Sequence, residues 1–369
     1  MLNSTDVFVI GGGPAGLAAA IAARQQGFRV VVADGARPPI DKPCGEGLMP
    51  DGVAALAGLG INAPPADTYP FRGVRFLSHN IAADTSFPSP GIGLAIRRTV
   101  LHRIMTERAV EVGVDLLWQT AVTGISSEEV HLGNRAIRAK WIIGADGSNS
   151  RVRRWAGLDI FSRSQSRYAF RRHFRVRPWT DRMEIYWGKH SQGYATAVSG
   201  DEVCIAVASR HPKLRLEEAL SEFPELNARL RDASTVSSER GAITANRKVK
   251  NVYRRNVALI GDASGTVDAI TGQGLGLSFR QAVVLARCLR SGDLKPYRAE
   301  HRRLASRPLL MAQLMLTLDE RPWLQRRTIQ AFQQHPEIFR RLLALHVGER
   351  SPLNLAWDGL TLGWGLLTA

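Results

Sequence analysis

The sequence predicts an α/β protein in which a nucleotide-binding domain carries an inserted antiparallel sheet and is followed by a helical C-terminal region. A strand, a glycine turn, a helix and a second strand follow one another between Asp6 and Asp34. From about residue 166 to 250 the pattern changes to longer runs of alternating polarity, separated by turn residues. From Tyr297 to about Gly348, apolar residues recur at helical spacing. These three patterns predict, in order, the nucleotide-binding domain, the inserted sheet and the helical C-terminal region.

The composition is that of an ordinary globular protein. The chain has 369 residues, of which 44% are hydrophobic and 22% charged, which excludes disordered, collagen-like and coiled-coil proteins. Cys44, Cys204 and Cys288 lie far apart, without the spacing of a disulfide framework or a zinc site, so no metal is predicted. The chain has no run of 18 apolar residues and no export signal at its N-terminus, so we expect a cytoplasmic protein.

The net charge of +16 comes mainly from arginines scattered along the chain. A nucleic-acid-binding protein more often gathers its basic residues into one patch with interleaved aromatic residues. We therefore do not expect nucleic acid as a partner. The charge is interpreted as a solvated basic surface, with steering of an anionic ligand or an acidic partner as the alternative.

The first glycine motif, GGGPAG, carries a specific mechanical prediction. Gly11 permits the tight turn, Gly13 lets the backbone approach a pyrophosphate, and Gly16 allows close packing of helix and strand. The helix N-terminus offers free amides and the positive end of its dipole. Asp34 ends the second strand and is placed to accept hydrogen bonds from a ribose. This motif alone leaves NAD and FAD open.

The elements that follow are read from periodicity and turn residues. Paired arginines open a helix at 97–111, and prolines 308, 322 and 336 are expected to break the C-terminal helical stretch. Further predicted elements are strands at 114–117, 122–125, 129–132, 139–145 and 256–260, antiparallel strands within 166–209, and a helix at 280–290.

Two later glycine and acid loops also follow buried strands: GADGSNSRVR from Gly144 and LIGDASGTVDAITGQG from Leu259. An extended dinucleotide needs amides for its pyrophosphate and carboxylates for its hydroxyl groups along its whole length. Asp262 suits the ribityl hydroxyls of a flavin. The run from Thr271 to Gly276 suits a helix start whose amides support negative charge on the reduced ring.

Together the three motifs resemble the FAD-dependent oxidoreductases of the p-hydroxybenzoate hydroxylase fold, which include aromatic hydroxylases, flavin halogenases and geranylgeranyl reductases. The resemblance covers about residues 5–290. It implies FAD as cofactor, NADPH or NADH as electron donor, and a Rossmann-like FAD-binding domain. The cofactor-binding residues that it implies are Gly11, Gly13, Pro14, Ala15, Gly16, Asp34, Arg98, Asp146, Gly147, Gly261, Asp262, Gly272, Gln273, Gly274 and Leu275.

Two segments indicate which branch of this superfamily the chain resembles. The chain reads DAITGQG where hydroxylases usually carry a proline, and KPCGEGLMP from Lys42 is similar to the Cys-Gly loop of geranylgeranyl-reductase-like proteins. The halogenase signature is absent from the sequence. The resemblance implies a discontinuous FAD-binding domain (1–75, 96–165 and 251–295), a substrate-binding sheet (76–95 and 166–250) and a C-terminal helical region (296–369).

Few catalytic side chains are expected, because a flavin supplies the hard step. Cys44 is a candidate proton donor or redox modulator, with simple packing as the alternative, and Glu46 is a candidate cofactor ligand or acid/base, with a solvated carboxylate as the alternative. Tyr186, Trp187 and His190 are candidates for the substrate pocket, with core or surface roles as the alternative.

Three further features have two interpretations each. Asp268 is a polar candidate in the flavin loop or a turn-stabilising residue. The basic strand with Arg171, Arg172, Arg175 and Arg177 is a solvated face or a landing site for NADPH phosphates. The tail from Trp357 packs on the protein or touches a membrane peripherally.

The first functional hypothesis is monooxygenation (hydroxylation) of an apolar polyketide, aromatic or isoprenoid molecule through NAD(P)H-reduced flavin and a C4a-peroxyflavin. An anionic or carrier-bound form of this substrate is one of the options. Its rival is geranylgeranyl-reductase-like reduction of C=C bonds. A nucleic-acid-binding or acidic-partner-binding protein that uses FAD structurally, and an NAD-dependent dehydrogenase, are more distant alternatives. The sequence leaves the substrate, the electron donor, the oligomeric state and any pocket acid/base open.

Overall fold

A computed structural model describes residues 3–350. Three short 3-10 helices lie at Pro65–Asp67, Gly261–Ser264 and Ala269–Thr271. The strands are β1 (Ser4–Ile10), β2 (Val30–Asp34), β3 (Gly47–Leu48), β4 (Tyr69–Phe71), β5 (Gly73–Ser78), β6 (Ile81–Ser86), β7 (Gly93–Ala95), β8 (Asp115–Trp118), β9 (Gly124–Ile125), β10 (Glu129–Leu132), β11 (Arg135–Gly144), β12 (Phe161–Arg163), β13 (Arg167–Arg175), β14 (Met183–Trp187), β15 (Ser191–Ala197), β16 (Glu202–Ser209), β17 (Ser234–Thr235), β18 (Arg240–Thr244), β19 (Arg247–Val249), β20 (Tyr253–Arg254), β21 (Val257–Leu259) and β22 (Gly265–Thr266). The helices are α1 (Pro14–Gln25), α2 (Pro50–Gly58), α3 (Arg98–Glu111), α4 (Arg151–Trp155), α5 (Leu216–Leu220), α6 (Pro224–Leu230), α7 (Gly274–Ser291), α8 (Lys295–Glu320), α9 (Pro322–Gln334) and α10 (Pro336–His346).

The first sheet has the order β20-β21-β11-β1-β2-β8, with β10 and β9 added beside β11. Strand β1 runs parallel to both β11 and β2, so that Val7 lies opposite Trp141 on one side and Val30 on the other. Apolar side chains from α1, α3 and α7 cover one face of this sheet, and a smaller cluster around Phe8 and Val31 covers the other. Burial on both faces explains why β1 and β2 are nearly continuous apolar runs. The α/β prediction is confirmed.

The second sheet has the order β17-β13-β16-β15-β14-β5-β6, with β18 beside β13. Neighbouring strands are antiparallel except β14 and β5, which are parallel. Helices α5 and α6 cover one face, while the other faces the glycine loops and the C-terminal helices. Strand β7 instead joins β3 and β4 in a small separate sheet. The domain boundaries given above stay predictions.

The interpretation of the basic strand β13 as a solvated face is wrong for Arg171, although Arg175 and Arg177 are exposed as expected. Arg171 is only 2% exposed, because its side chain points toward the glycine loops and its Nη2 pairs with Asp41 at 2.6 Å. Phe174 on the opposite face belongs to the apolar cluster under α5 and α6. Arg172 pairs with Glu217 at 2.6 Å. Arg171 and Arg172 therefore have close ion-pair partners, whereas Arg175 and Arg177 are exposed to solvent.

The C-terminal helices correct a second expectation. Pro322 and Pro336 each begin a helix, as predicted, but Pro308 lies inside α8, which continues to Glu320. An internal proline costs about 3 kcal/mol. Pro308 is buried, and Met311 and Ala312 are buried in the next turn, so packing of this helix offsets the lost hydrogen bond. No helix within residues 3–350 is long and apolar enough to cross a bilayer. The tail from Trp357 lies outside the described residues.

Stability is expected to depend on pH through His301. Its Nε2 lies 2.8 Å from the hydroxyl of Ser264, which donates to the carbonyl of Gly261, so the neutral ring is the donor. Burial lowers the pKa of His301 from 6.5 to about 4. Below about pH 6.5 His301 is therefore protonated in the unfolded chain but stays neutral in the folded protein. The free energy of unfolding falls as the pH drops from 6.5 toward 4.

The expected slope from His301 is up to about 1.4 kcal/mol per pH unit. Urea unfolding at a series of pH values measures it, and His301→Gln should remove this share of the slope while leaving the region above pH 7 flat. An unchanged slope in His301→Gln contradicts the assignment. His346, whose pKa burial also lowers to about 4, should supply the slope that remains.

Candidate functional site

The first glycine turn has the mechanical features that the sequence predicts. Gly11 has a φ of +112°, and a methyl group there would overlap the carbonyl oxygen of Ala145 at the end of β11. A methyl group on Gly16 would overlap the carbonyl oxygen of Gly11. Gly13, by contrast, has no atom within 4 Å of that position. The turn is thus closed on its inner side and open at Gly13.

The open side is the N-terminus of α1. Gly13 is the N-cap residue, Pro14 is the first helical residue, and no side chain caps the helix. The free amides of this end, which include that of Ala15, therefore suit an anion such as a pyrophosphate. Asp34 braces the same turn, because its carboxylate accepts from the amide of Gly12 at 2.7 Å and from that of Ala36 at 2.8 Å.

His102 is a site residue that the sequence analysis missed. Its Nε2 lies 2.9 Å from the carbonyl oxygen of Gly12, and the side chain is fully buried on α3. Burial lowers the pKa of His102, so the ring is held neutral and donates to Gly12. The signal was present, because His102 follows Arg98 by four residues and thus shares its helix face.

Arg98 has a buried guanidinium group whose hydrogen-bonding capacity is not satisfied within the described residues. The side chain is 6% exposed, and its buried Nη1 has no hydrogen-bond partner. Desolvation lowers the pKa of its guanidinium, opposed by Cys44, Asp41, Asp262 and Glu46. A buried donor without an acceptor is costly, so the group fits a bound anion.

The second loop is organised by Asp146. Its Oδ2 accepts from the amides of Arg151 at 2.6 Å and Val152 at 3.1 Å, which fixes the start of α4. Its Oδ1 is buried without a partner. A methyl group on the neighbouring Gly147 would lie 3.6 Å from Nζ of Lys42, so this basic side chain reaches the same loop.

The third loop brings a carboxylate to the same place. Burial raises the pKa of Asp262, although Lys42, Arg98 and Arg247 oppose the shift. By surface area the residue is nevertheless exposed, so it lies at the open side of the loop. A methyl group on Gly261 would lie 2.6 Å from Cβ of Ala15 on α1. Three segments distant in sequence therefore converge on one cleft.

The predicted helix start at the end of this loop is also present. Gly272 and Gln273 precede α7, which begins at Gly274, and Leu275 follows without a capping side chain. The side-chain amide of Gln273 donates to the carbonyl of His346 at the end of α10. The amides of this helix start suit a negatively charged ring edge.

Asp268 behaves as the turn-stabilising residue among its two interpretations. Its Oδ1 accepts from the amide of Ile270 at 3.0 Å and from Nη1 of the buried Arg167 at 3.1 Å. It fixes the turn before Gly272 and ties it to the second sheet.

Cys44 and Glu46 lie on a loop that faces the second sheet. Glu46 is 2% exposed rather than solvated, and its Oε2 lies 2.6 Å from Nε2 of His173. The amide of Glu46 donates to Sγ of Cys44 at 3.3 Å. Burial raises the pKa of the Cys44 thiol. This polar cluster, in which Glu46 is buried and Cys44 is partly exposed, lies next to the three converging loops.

Glu46, His173 and Cys204 bring one potential metal-ligating atom each to within 4.8 Å of one another. The guanidinium of Arg171 lies 3.9 Å from Glu46 and 3.2 Å from Nδ1 of His173, which disfavours a cation. Burial also raises the pKa of Cys204 well above its ordinary value, so its sulfur stays a thiol. We interpret the group as a hydrogen-bonded cluster.

The three predicted pocket residues do not lie together. Tyr186 is on the face under α5 and α6, where its hydroxyl donates to Glu184 at 2.6 Å, and His190 is in an exposed turn. Trp187 is on the face toward the glycine loops but is covered by the apolar cluster of the C-terminal helices. Tyr194, which shares that face, keeps partial exposure. Because adjacent strand positions point to opposite faces, Tyr186 and Trp187 do not line one pocket together, and the pocket assignments stay predictions.

Comparison with known proteins agrees with this geometry. Residues 4–292 match the family described as FAD binding domain. Digeranylgeranylglycerophospholipid reductase 2 of Methanosphaera stadtmanae is 29% identical over 319 residues, which are 78% of this chain and 79% of the relative. A menaquinone reductase of Mycobacterium tuberculosis is 29% identical over 322 residues, 79% of this chain and 78% of the relative.

The fold has counterparts among solved structures. A flavoprotein/dehydrogenase of Cytophaga hutchinsonii superposes with a TM-score of 0.84 at 19% identity, covering 99% of this chain and 98% of that one. At this identity the likeness establishes the shared fold alone.

Proposed function

The chain belongs to the FAD binding domain family and is an FAD-dependent oxidoreductase, and from this premise we propose that it reduces C=C bonds of an apolar, isoprenoid-like substrate. The observation that carries the proposal is the Cys44 thiol, whose pKa is raised by desolvation and which lies in the polar cluster next to the flavin-binding loops. Reduction of a C=C bond needs one hydride and one proton. A thiol that keeps its proton suits the second role.

Different residues of the cleft would bind different parts of FAD. The amides at Gly13 to Gly16 and the orphaned Nη1 of Arg98 would take the pyrophosphate. Asp34 would accept from the adenosine ribose and Asp262 from the ribityl chain. When bound, the flavin supplies the hydride.

The remaining residues bind, orient and exclude water. The helix start at Gly272 to Leu275 would support negative charge on the pyrimidine edge of the flavin. On the facing side of the second sheet, Val74, Phe76, Met183 and Ile185 are packed in one buried apolar cluster with the C-terminal helices, so an apolar substrate would bind beside this cluster. The raised pKa of the Cys44 thiol keeps its proton available for the alkene carbon.

We place C=C reduction ahead of the monooxygenation that the sequence analysis ranked first. The relatives that align over most of the chain are named as reductases, one for an isoprenoid lipid and one for menaquinone. The Cys44 loop has no role in oxygen activation that the geometry suggests, whereas it suits proton donation. NADPH or NADH as the donor stays part of the proposal.

Anaerobic turnover tests the function. Holoenzyme is reduced with dithionite, or with NADPH or NADH, and is given menaquinone or a digeranylgeranyl glycerophospholipid as the probe. We expect mass spectrometry to detect a gain of two hydrogen atoms per reduced double bond without oxygen. A product that carries an added oxygen atom, and that forms only in air, would instead support monooxygenation. Failure of both probes under both conditions contradicts an isoprenoid substrate.

A further inference from the structure

The side chain of Glu46 is held more firmly than a loop carboxylate needs for folding alone. Its Oε1 accepts from the amide of Arg98 at 2.9 Å, and its Oε2 lies 2.6 Å from Nε2 of His173. Its own backbone carbonyl accepts from the amide of Ile96 at 2.9 Å. Nη2 of Arg171 lies 3.9 Å from Oε1. Both the backbone and the carboxylate of Glu46 are therefore anchored.

The surroundings of His173 assign the proton in this pair. Its Nδ1 is approached by Nη1 of Arg171 at 3.2 Å, Nη2 of Arg97 at 3.4 Å and Oγ of Ser237 at 2.8 Å. Guanidinium groups can only donate, so Nδ1 is an acceptor. The neutral ring then carries its proton on Nε2 and donates it to Glu46, which is the ionised partner.

The backbone of Glu46 transmits this arrangement to Cys44. Glu46 has a φ of +61°, in the left-handed region that a glutamate adopts only when its surroundings enforce it. In this conformation its amide donates to Sγ of Cys44 at 3.3 Å. Release of the carboxylate would remove the restraint on the φ angle and, with it, the hydrogen bond to sulfur.

We propose that His173 is a positioning residue that locks Glu46 as a fixed anion beside Cys44 and thereby keeps Cys44 in its thiol form at the flavin-binding loops. The inference rests on the proposed function for its biological meaning, because a protonated Cys44 is what C=C reduction requires. The dyad itself is a physical property of the protein and is measurable without any substrate.

Charged groups of both signs face Cys44. Desolvation and the carboxylate of Glu46 favour the thiol, whereas Arg98 of α3, the amide of Glu46 that donates to Sγ, and Arg171 of β13 favour the thiolate. Cys204 of β16 lies against the same loop, with Sγ 3.8 Å from the carbonyl oxygen of Cys44, and is itself a thiol. Asp41 also pairs with Arg171, at 2.6 Å. Because the charge of Glu46 acts on Cys44 more strongly than its amide does, removal of this charge should favour the thiolate.

Alkylation of the holoenzyme by iodoacetamide tests whether Glu46 and His173 keep Cys44 in its thiol form. The rate at Cys44 is followed by peptide mass spectrometry across about pH 7 to 10, because only the thiolate reacts. In Glu46→Gln we expect the titration midpoint to move down, with alkylation at neutral pH about tenfold faster. His173→Leu should move it in the same direction, and His173→Gln should restore it, since an amide can still donate to Glu46.

Arg172→Gln, on the opposite face of β13, is the matched control and should keep the wild-type midpoint. The proposal is overturned if Glu46→Gln and His173→Leu keep that midpoint. It is equally overturned if their rates rise by the same factor at every pH, since that reports an opened loop rather than a titration. The flavin absorption band verifies that each variant is folded and loaded. Because no substrate is used, this result stands apart from success or failure of C=C reduction.

Discussion

Gly16→Ala is expected to yield a protein that holds no flavin and unfolds at a lower temperature than the wild type. The added methyl group would overlap the carbonyl oxygen of Gly11 and lie 3.2 Å from Cβ of Ala145. Backbone atoms cannot rotate away, so α1 must move off β1 and β11. Overpacking of this kind costs about 1 to 3 kcal/mol, and the displaced turn no longer presents its amides to a pyrophosphate.

Gly13→Ala separates cofactor binding from folding. Its backbone is extended (φ −71°, ψ 177°), and a methyl group there meets no protein atom within 4 Å. The apoprotein should therefore unfold at the wild-type temperature, while flavin affinity falls by about hundredfold or more because the methyl group occupies the space of the pyrophosphate.

Absorbance of bound flavin and thermal unfolding of the apoprotein measure the two effects. Gly58→Ala is the matched control, since Gly58 lies in α2 with open space around it and should keep both properties. If Gly13→Ala binds flavin as tightly as the wild type, the pyrophosphate does not lie at this turn and the assignment of the cleft is wrong.

The parts of the fold that the sequence predicts are those decided by local chemistry. Three features can be predicted without knowledge of distant residues, and all three are present: a strand that ends just before Gly11, a helix that begins at Pro14, and the acidic residue Asp34 at the end of the next strand. The convergence of the Asp146 and Asp262 loops could also be expected, because parallel strands end at one edge of a sheet.

The parts that could not be predicted depend on register and distant packing. Glu46 and His173 are 127 residues apart and meet because β13 lies over the Cys44 loop. Tyr186 and Trp187 are equally good pocket candidates by residue type, and only the pairing of β14 with β15 decides which face each one takes. Pro308 reads as a helix break until the packing of α8 is known. Each miss is a tertiary effect that overrides a local preference.

Cys44→Ala is expected to slow C=C reduction by about hundredfold, the usual share of a positioned proton donor, while flavin content stays at the wild-type level. Cys44→Ser should fall between the two, since a hydroxyl can occupy the place of the thiol but donates its proton less readily. Cys288→Ala on α7 is the control and should keep full activity. Steady-state product formation at saturating reductant measures all three.

The pH dependence of the rate of C=C reduction also tests Cys44 as the proton donor, because a proton donor and a thiolate predict opposite changes. Because burial raises the pKa of Cys44 above its ordinary value, the thiol persists through neutral pH, and the rate should stay level there and fall only under alkaline conditions. A cysteine acting as a nucleophile or thiolate would give the reverse profile, with the rate rising as the pH increases. Equal rates in Cys44→Ala and the wild type would remove the proton donor from the proposal and leave the similarity to named reductases as the remaining reason to place reduction ahead of oxygenation.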